Sequence, residues 1–375
     1  MLTLTGFPPD NPQVIELYWS LPQLQARAHP NLARVQKALM QHLWHVSSPS
    51  VAIDTSQPLV YADRLRIRQP GDAKFALGPH QDGGSVERWE HEGYGRGGVY
   101  DAVFAGNWEA YDPWDAAGRV DAVNDLHNGL GACSMFRMFQ GWLSMSHCGP
   151  LQGTLLVNPL LRLATAYTLL RPFFTPVKGL DTNAVDASQR DAFLDPDNWV
   201  FTAGEETTSE LQGATPGHGQ EFPEAMHPHL ELDRTMVHMP HVKPGDFVIW
   251  HCDSESFSST IHPLILTSCH TAIHAVDKIH QGAADSSVLY IPVCPVTEHN
   301  ARYLVRQRAA FEGGTPGPDF PGGKGESEHV GRPTRDAITS AEGLQAMGLE
   351  KMVFGSDARE GARRAVTAAN AVLGF

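Results

Sequence analysis

The stretch Tyr61-Ala-Asp-Arg-Leu-Arg-Ile-Arg68, followed across a Gly/Pro-rich turn by Leu77-Gly-Pro-His-Gln-Asp-Gly-Gly84, decides the fold. Its first part alternates with period two. Arg64, Arg66 and Arg68 point one way and Leu65 and Ile67 the other, the pattern of a strand. Its second part is a glycine-flanked turn that presents His80 and Asp82. Working outward, strand signals recur at Ser134 to Met145, Gly153 to Val157, Thr235-Met-Val-His-Met-Pro240, Asp246-Phe-Val-Ile-Trp-His251, Ala272-Ile-His-Ala-Val276 and Ser287-Val-Leu-Tyr-Ile-Pro-Val293. Helical spacing marks Pro12 to Trp44, punctuated by Pro22 and Pro30, then 159–171, Thr297 to Phe311 and the Ala-rich 358–373. Residues 85–125 read as a long ordered excursion, 180–230 as a polar loop and 313–335 as a Gly/Pro loop. Many short strands with Gly/Pro turns point to a sandwich or jelly roll. A doubly wound α/β fold fits less well, because strands and helices alternate poorly and no G-x-G-x-x-G follows a strand. The expected fold is mainly β with flanking helices, one domain over 1–375 with a C-terminal helical and loop extension from 297.

Composition narrows the function. The 375 residues hold 28 Lys plus Arg against 42 Asp plus Glu, a formal charge of −14, with no basic block. Binding to nucleic acid by phosphate neutralisation needs the opposite sign. The most apolar region, Leu151 to Phe174, is broken by Gln152, Asn158, Arg162 and Arg171, so it is no clean membrane span. Met1 to Pro9 lacks a basic leader. Five cysteines without a C-x-x-C pair fit a reducing compartment, and the expected location is cytoplasmic.

Histidine is abundant, at 19 residues. His80-Gln-Asp82 with a distant histidine is the two-histidine, one-carboxylate arrangement of non-haem Fe(II) sites, and positions i and i+2 of a strand share a face. Alone the motif is weak. Composition predicts about two His-x-Asp/Glu matches by chance, and three occur, at His80, His229 and His251. His147, His227, His229, His238 and His241 have no ligand-like partner at useful spacing and read as structural. Trp89, Trp108, Tyr111 and Trp114 fit either a substrate cavity or a packed aromatic cover.

Downstream context strengthens the site. Glu16-Leu-Tyr-Trp-Ser, Tyr61-Ala-Asp-Arg, Leu77-Gly-Pro-His-Gln-Asp, Tyr111-Asp-Pro-Trp-Asp, Phe139-Gln-Gly-Trp, Lys243-Pro-Gly-Asp, Trp250-His-Cys-Asp, Ile273-His-Ala-Val and Pro318-Asp-Phe-Pro span nearly the whole chain. In these stretches the chain resembles the phytanoyl-CoA dioxygenase-like branch of Fe(II)/2-oxoglutarate oxygenases, and more closely the YbiU-like family of bacterial and fungal proteins. The resemblance implies a double-stranded β-helix, or jelly-roll, core. It implies His80, Asp82 and His274 as ligands of Fe(II). It also implies 2-oxoglutarate as co-substrate, split to succinate and CO₂, with hydrogen abstraction from a small-molecule substrate. Two rivals stand beside this reading: an inactive jelly-roll protein, and a metal-dependent enzyme on the same scaffold that uses no 2-oxoglutarate. Substrate identity and oligomeric state are left open by the sequence.

Three departures from the family pattern matter. Related oxygenases often carry an Arg about one strand beyond the distal His to pair with the far carboxylate of the co-substrate; here that region reads Ala284-Asp-Ser-Ser-Val. A guanidinium fork is the natural carboxylate partner, so Arg137, or Arg66 and Arg68, are the candidates, with Ser286 and Ser287 offering hydroxyls. Second, the resembled family places two histidines five positions apart where His251 and His274 are 23 apart. Ser254 to Ala272 is Ser-rich with no acidic residue after Glu255, and its His262 and His270 read as decoys. The expectation is an insertion or a translated intron: codons can be chosen that put a GT donor one base into codon 254 and an AG acceptor one base into codon 272. Excising the 18 codons between them gives Trp250-His-Cys-Asp-Thr-Ile-His-Ala-Val-Asp and restores the five-residue spacing. Third, the resembled family has a further N-terminal region before Phe7-Pro-Pro-Asp-Asn-Pro12, so Met1 is expected to be an internal start or the edge of an incomplete gene.

Overall fold

The structure, a computed structural model, describes residues 6–7, 11–74, 76–129, 132–180, 187–202, 204, 208–252 and 273–375. The expected insertion at 254–272 lies outside the described residues. The strands are β1 (Gly6–Phe7), β2 (Val14–Ile15), β3 (Asp54–Leu59), β4 (Leu65–Arg68), β5 (His80–Gln81), β6 (Phe139–Ser144), β7 (Leu155–Val157), β8 (Phe174–Pro176), β9 (Trp199–Phe201), β10 (Gln220–Glu221), β11 (Val237–His238), β12 (Phe247–His251), β13 (His274–Val276), β14 (Ser286–Tyr290) and β15 (Cys294–Val296). Two antiparallel sheets hold most of them. One runs β1-β2-β4-β14-β6-β12 and the other β10-β5-β13-β7-β11; neither closes on itself.

Period-two alternation sorts the first sheet into two faces. Trp142, Val248, Trp250 and Val288 pack with Leu155 and Val157 of the second sheet, so this face is the inter-sheet core. The opposite face, with Phe139, Phe247, Ile249 and Leu289, packs on Leu32, Leu39, Met40 and Trp44, from the helix Pro30–His42 and the residues after it. That helix is amphipathic, begins on Pro30 and is capped by the His29 side chain, which accepts from Asn31 N. Arg66 and Arg68 fall on the inter-sheet face, as their alternation with Leu65 and Ile67 requires, and both are buried.

A second layer comes from the C-terminal extension. Thr297 caps the helix Glu298–Gly313 through Asn300 N, and Gly314, at φ 68°, ends it in the left-handed region that favours glycine. This helix packs with Glu360–Leu373, and their apolar faces (Tyr303, Leu304, Val366, Ala369) close a core over Tyr18, Trp19, Leu59 and Tyr61. No helix of the described residues is long and apolar enough to cross a membrane.

The chain is therefore mixed α and β rather than mainly β. The expected loop at 180–230 contains the helix Ala187–Leu194 and strands β9 and β10. Its polar face pattern (Ser188, Gln189, Arg190, Asp191) carries no apolar stripe for periodicity to detect. The expected strand from Ser134 is extended only from Phe139; Ser134 to Phe136 is instead tied by side chains, described below.

Candidate metal centre

Strand β5 is two residues long, and its place is set from both sides: His80 pairs with Glu221 of β10 and with His274 of β13. Facing residues of an antiparallel ladder put their side chains on the same face, so the two imidazoles meet, with ring centroids 4.2 Å apart. Gln81 turns to the other side and is buried, which returns Asp82 to the face of His80. Gly83 and Gly84, at φ 78° and 82°, then turn the chain away.

His80 Nε2 lies 3.6 Å from Asp82 Oδ1, and His274 Nε2 lies 3.4 Å from Asp82 Oδ2. One donor atom from each residue can be chosen so that all three lie within 4.8 Å of one another, and this is the one such group of three or more among the described residues. Ligands about 2.1 Å from an ion and at right angles are about 3 Å apart, so a small closure of these side chains fits an octahedral ion. The donor chemistry fits too. His80 Nδ1–H donates to Gly78 O at 2.7 Å, fixing the ring so that Nε2 offers its lone pair to the centre. Burial, reinforced by the neighbouring His274, pushes the His80 pKa down to about 4 against the pull of Asp82, so this ring is neutral at pH 7. Burial alone would raise Asp82. The hydrogen bond from His274 and the fields of His274, His80 and Arg137 outweigh it and hold the carboxyl well below its usual range. His80 and Asp82 thus already carry the protonation states that divalent-metal binding needs. Asp82 is 41% exposed, open to a cavity rather than sealed in the core.

That cavity, about 310 Å³, lies between the two sheets. Leu155, Val276, Trp142 and Trp250 give it apolar walls; Arg66, Arg137, Asp63, Arg64 and Tyr290 give it charge and polarity. A slightly larger cavity of about 340 Å³ lies between helix Pro30–His42 and β3, but it brings together no ligating cluster. Chemistry rather than size picks the site.

The structure separates the arginine candidates. Arg66 faces the cavity, donating to Gly153 O at 3.3 Å, and its Nε is buried without a partner. Arg137 faces it as well and lies against the backbone of Gly83, where an added Cβ would be 3.1 Å from Nη2. Arg68 does not reach the cavity. It is fully buried, ion-paired to Asp72 at 2.8 Å and bonded to Asp277 O at 2.7 Å. Ser287 is likewise not brought to the site: it shares the outer face of β14 with Leu289, whereas Ser286 turns inward to Cys148 Sγ at 3.3 Å. A one-residue difference in strand parity decides this.

The chain matches the Gig2-like family over residues 2–349. It belongs to that family. This Gig2-like chain is 32% identical to YbiU of Escherichia coli (strain K12) over 340 residues, 90% of this chain and 68% of the relative. The crystal structure of GlcNAc Inducible Gene 2 from Candida albicans superposes with a TM-score of 0.79 at 31% identity, covering 99% of this chain and 74% of the other. A Salmonella typhimurium LT2 protein provisionally classed as an oxidoreductase gives 0.68 at 33% identity, with 88% and 67% covered.

Several other described histidines of the Gig2-like chain serve packing or hydrogen bonding. His251 is fully buried, stacks on Trp44 at 4.5 Å and bonds Pro113 O at 3.0 Å. His227 bonds Gln212 O, and His238 lies 3.3 Å from Asp277. The aromatic residues of the 85–125 excursion form a cover: Trp89, Trp108 and Tyr111 pack together around Val103, and Trp114 joins Trp44 and Phe139. On β6, β12 and β14 the cavity's own aromatics are Trp142, Trp250 and Tyr290. They share parity with Arg66 across β4, β14, β6 and β12, but a packed core shares that parity too, so the sequence did not single them out.

Proposed function

We propose that this Gig2-like chain is an Fe(II)- and 2-oxoglutarate-dependent oxygenase of a small molecule, with a double-stranded β-helix core. The observation that carries the reading is the convergence of His80, Asp82 and His274 on the wall of a cationic cavity. Strand order supports the core. Strands β4 to β7 and β11 to β14, taken one to eight in chain order, fall as 1-8-3-6 in one sheet and 2-7-4-5 in the other. Both orders suit a two-sheet jelly roll.

In this reading the imidazoles of His80 and His274 and the carboxylate of Asp82 would hold the ion. Iron bound there with 2-oxoglutarate and O₂ would supply oxidative chemistry, with 2-oxoglutarate converted to succinate and CO₂. The protein's share is ligation, orientation and exclusion of water. Arg66 is assigned to the far carboxylate of the co-substrate. Its partner Gly153 lies four residues before Val157, which pairs with His274. Those four residues place the fork on the order of 10 Å from the ligands, comparable to a five-carbon diacid with its metal bond and hydrogen bond. Trp142, Trp250 and Leu155 line the space between. The same reading treats 1–375 as one oxygenase domain acting in the cytoplasm, with no nucleic-acid or membrane partner.

Anaerobic titration of Fe(II) and 2-oxoglutarate, followed by succinate release in oxygen, tests the proposal. Metal binding without 2-oxoglutarate binding favours a different metal enzyme. Binding of neither favours an inactive scaffold.

A further inference from the structure

Arg137 is presented to the cavity by an unusual amount of bracing, none of it on its guanidinium. Asn300 Oδ1 accepts from Phe136 N at 2.8 Å, and Asn300 Nδ2 donates to Phe136 O at 2.9 Å. Asp319 accepts from Ser134 N and Oγ at 2.7 and 2.6 Å and from Tyr61 OH at 2.9 Å; His299 Nε2 donates to Ser134 O at 2.6 Å. The Pro318-Asp-Phe-Pro motif and the start of helix Glu298–Gly313 thus fix the backbone on which Arg137 sits. Arg137 is only 8% exposed. Among the described residues no carboxylate lies within 4 Å of its guanidinium and no acceptor is hydrogen-bonded to it.

A buried guanidinium without a partner is costly to keep, and rigid backing is the way a fold keeps one in place for a ligand. Arg137 also lines a small chamber of about 30 Å³ with Asp82, Asn124, Phe136, His299 and Arg119, whose own guanidinium is held by Tyr111 Oη at 3.0 Å. That is room for an acidic head group, not for a whole substrate. Charge points the same way. Asp63 and Arg64 neutralise each other at 3.1 Å, which leaves Arg66, Arg137, Asp82 and a divalent ion. 2-Oxoglutarate on the ion and Arg66 removes two of the three net positive charges, and one remains.

We propose that Arg137 anchors the carboxylate of the substrate, and hence that the substrate is a small organic acid with one acidic group near the atom to be oxidised. This inference rests on the proposed oxygenase reading.

The test uses the full chain loaded with redox-inert Mn(II). Calorimetry gives 2-oxoglutarate affinity for wild type, Arg66→Gln, Arg137→Gln and Arg137→Lys, each first checked for a native melting curve. Carbon-13 acetate, with neutral acetamide as control, is then titrated into the 2-oxoglutarate-saturated proteins and read by Mn(II)-induced line broadening. Arg66→Gln should weaken 2-oxoglutarate on the order of 10- to 100-fold, while Arg137→Gln changes it less than about threefold. Acetate, but not acetamide, should bind wild type saturably, lose about tenfold or more in Arg137→Gln and recover in part in Arg137→Lys. A tenfold loss of 2-oxoglutarate affinity in Arg137→Gln overturns the proposal, as does acetate broadening that is absent in wild type or unchanged in Arg137→Gln. If Mn(II)-loaded wild type binds no 2-oxoglutarate, the oxygenase reading fails separately. Acetate titrated into the metal-loaded protein alone then still decides whether Arg137 is an anion anchor.

Discussion

Replacing Arg68 by Met separates architecture from chemistry at a position that the sequence could not distinguish from Arg66. Arg68 is fully buried, and its guanidinium meets the Asp72 carboxylate at 2.8 and 2.9 Å, Asp277 O at 2.7 Å and Asp72 O at 3.1 Å. The methionine fills most of the volume but removes every one of these bonds and leaves Asp72 beside an apolar group. Breaking a buried pair from one side costs about 3–5 kcal/mol. An unfolding entropy of about 2.1 cal/mol/K per residue amounts to roughly 0.8 kcal/mol/K for a chain of this length, so the melting temperature should fall by about 4–6 °C. Urea unfolding should show a lower midpoint with an unchanged slope, and 2-oxoglutarate affinity should stay at the wild-type value. The double variant Arg68→Met/Asp72→Leu should recover most of the loss, because the stranded charge is gone. A stability loss under about 1 kcal/mol together with a tenfold drop in 2-oxoglutarate affinity would falsify the assignment of Arg68 to the scaffold.

Three further outcomes are expected. Asn300→Ala removes two bonds to Phe136 and one to Pro295 at a fully buried position; denaturant unfolding should register a loss of about 2–4 kcal/mol, and a change below 1 kcal/mol would mean that the brace is redundant. Burial lowers the His227 pKa to about 4 from an ordinary 6.5, so the unfolded chain binds the extra proton between those values. This contribution is intact above pH 6.5 and falls by about 3 kcal/mol as pH drops to 4; His227→Gln should flatten that limb of the stability profile, and an unchanged limb would remove His227 as its cause. Replacing 254–272 by a single Thr should tighten Fe(II) and 2-oxoglutarate binding, as measured by calorimetry, and genomic sequence lacking a GT donor at codon 254 or an AG acceptor at codon 272 would dispose of the intron.

Much of this architecture was legible because period-two patterns survive in sequence. The Arg64–Arg68 alternation, the strand ending at His251 and the one carrying Val288 all stand where the apolar spacing put them, within a few residues at their ends. His80 and Asp82 could be paired because positions two apart share a face, and His274 joined them only through the resemblance of its Ile273-His-Ala-Val stretch to the family pattern. What sequence left open was tertiary. Arg66 and Arg68 share one face of one strand, and the turn that brings Asp72 back to Arg68, together with the carbonyl of Asp277 more than 200 residues away, claims the second for the core. Ser286 and Ser287 differ by one step of register, which no local pattern specifies. Trp142 and Trp250 could not be told from core residues, because on their strands a cavity wall and a packed interior have the same alternation; the space between the sheets is visible only once both are placed.

The most direct test of the metal centre is anaerobic calorimetry of Fe(II) and then 2-oxoglutarate on wild type, His80→Ala, Asp82→Ala and His274→Ala. The account predicts one Fe(II) per chain, 2-oxoglutarate binding only when the metal is present, and loss of both in each variant despite native-like melting. Wild-type protein that binds no Fe(II), or a variant that binds it as tightly as wild type, would contradict the assignment of His80, Asp82 and His274 as the ligands.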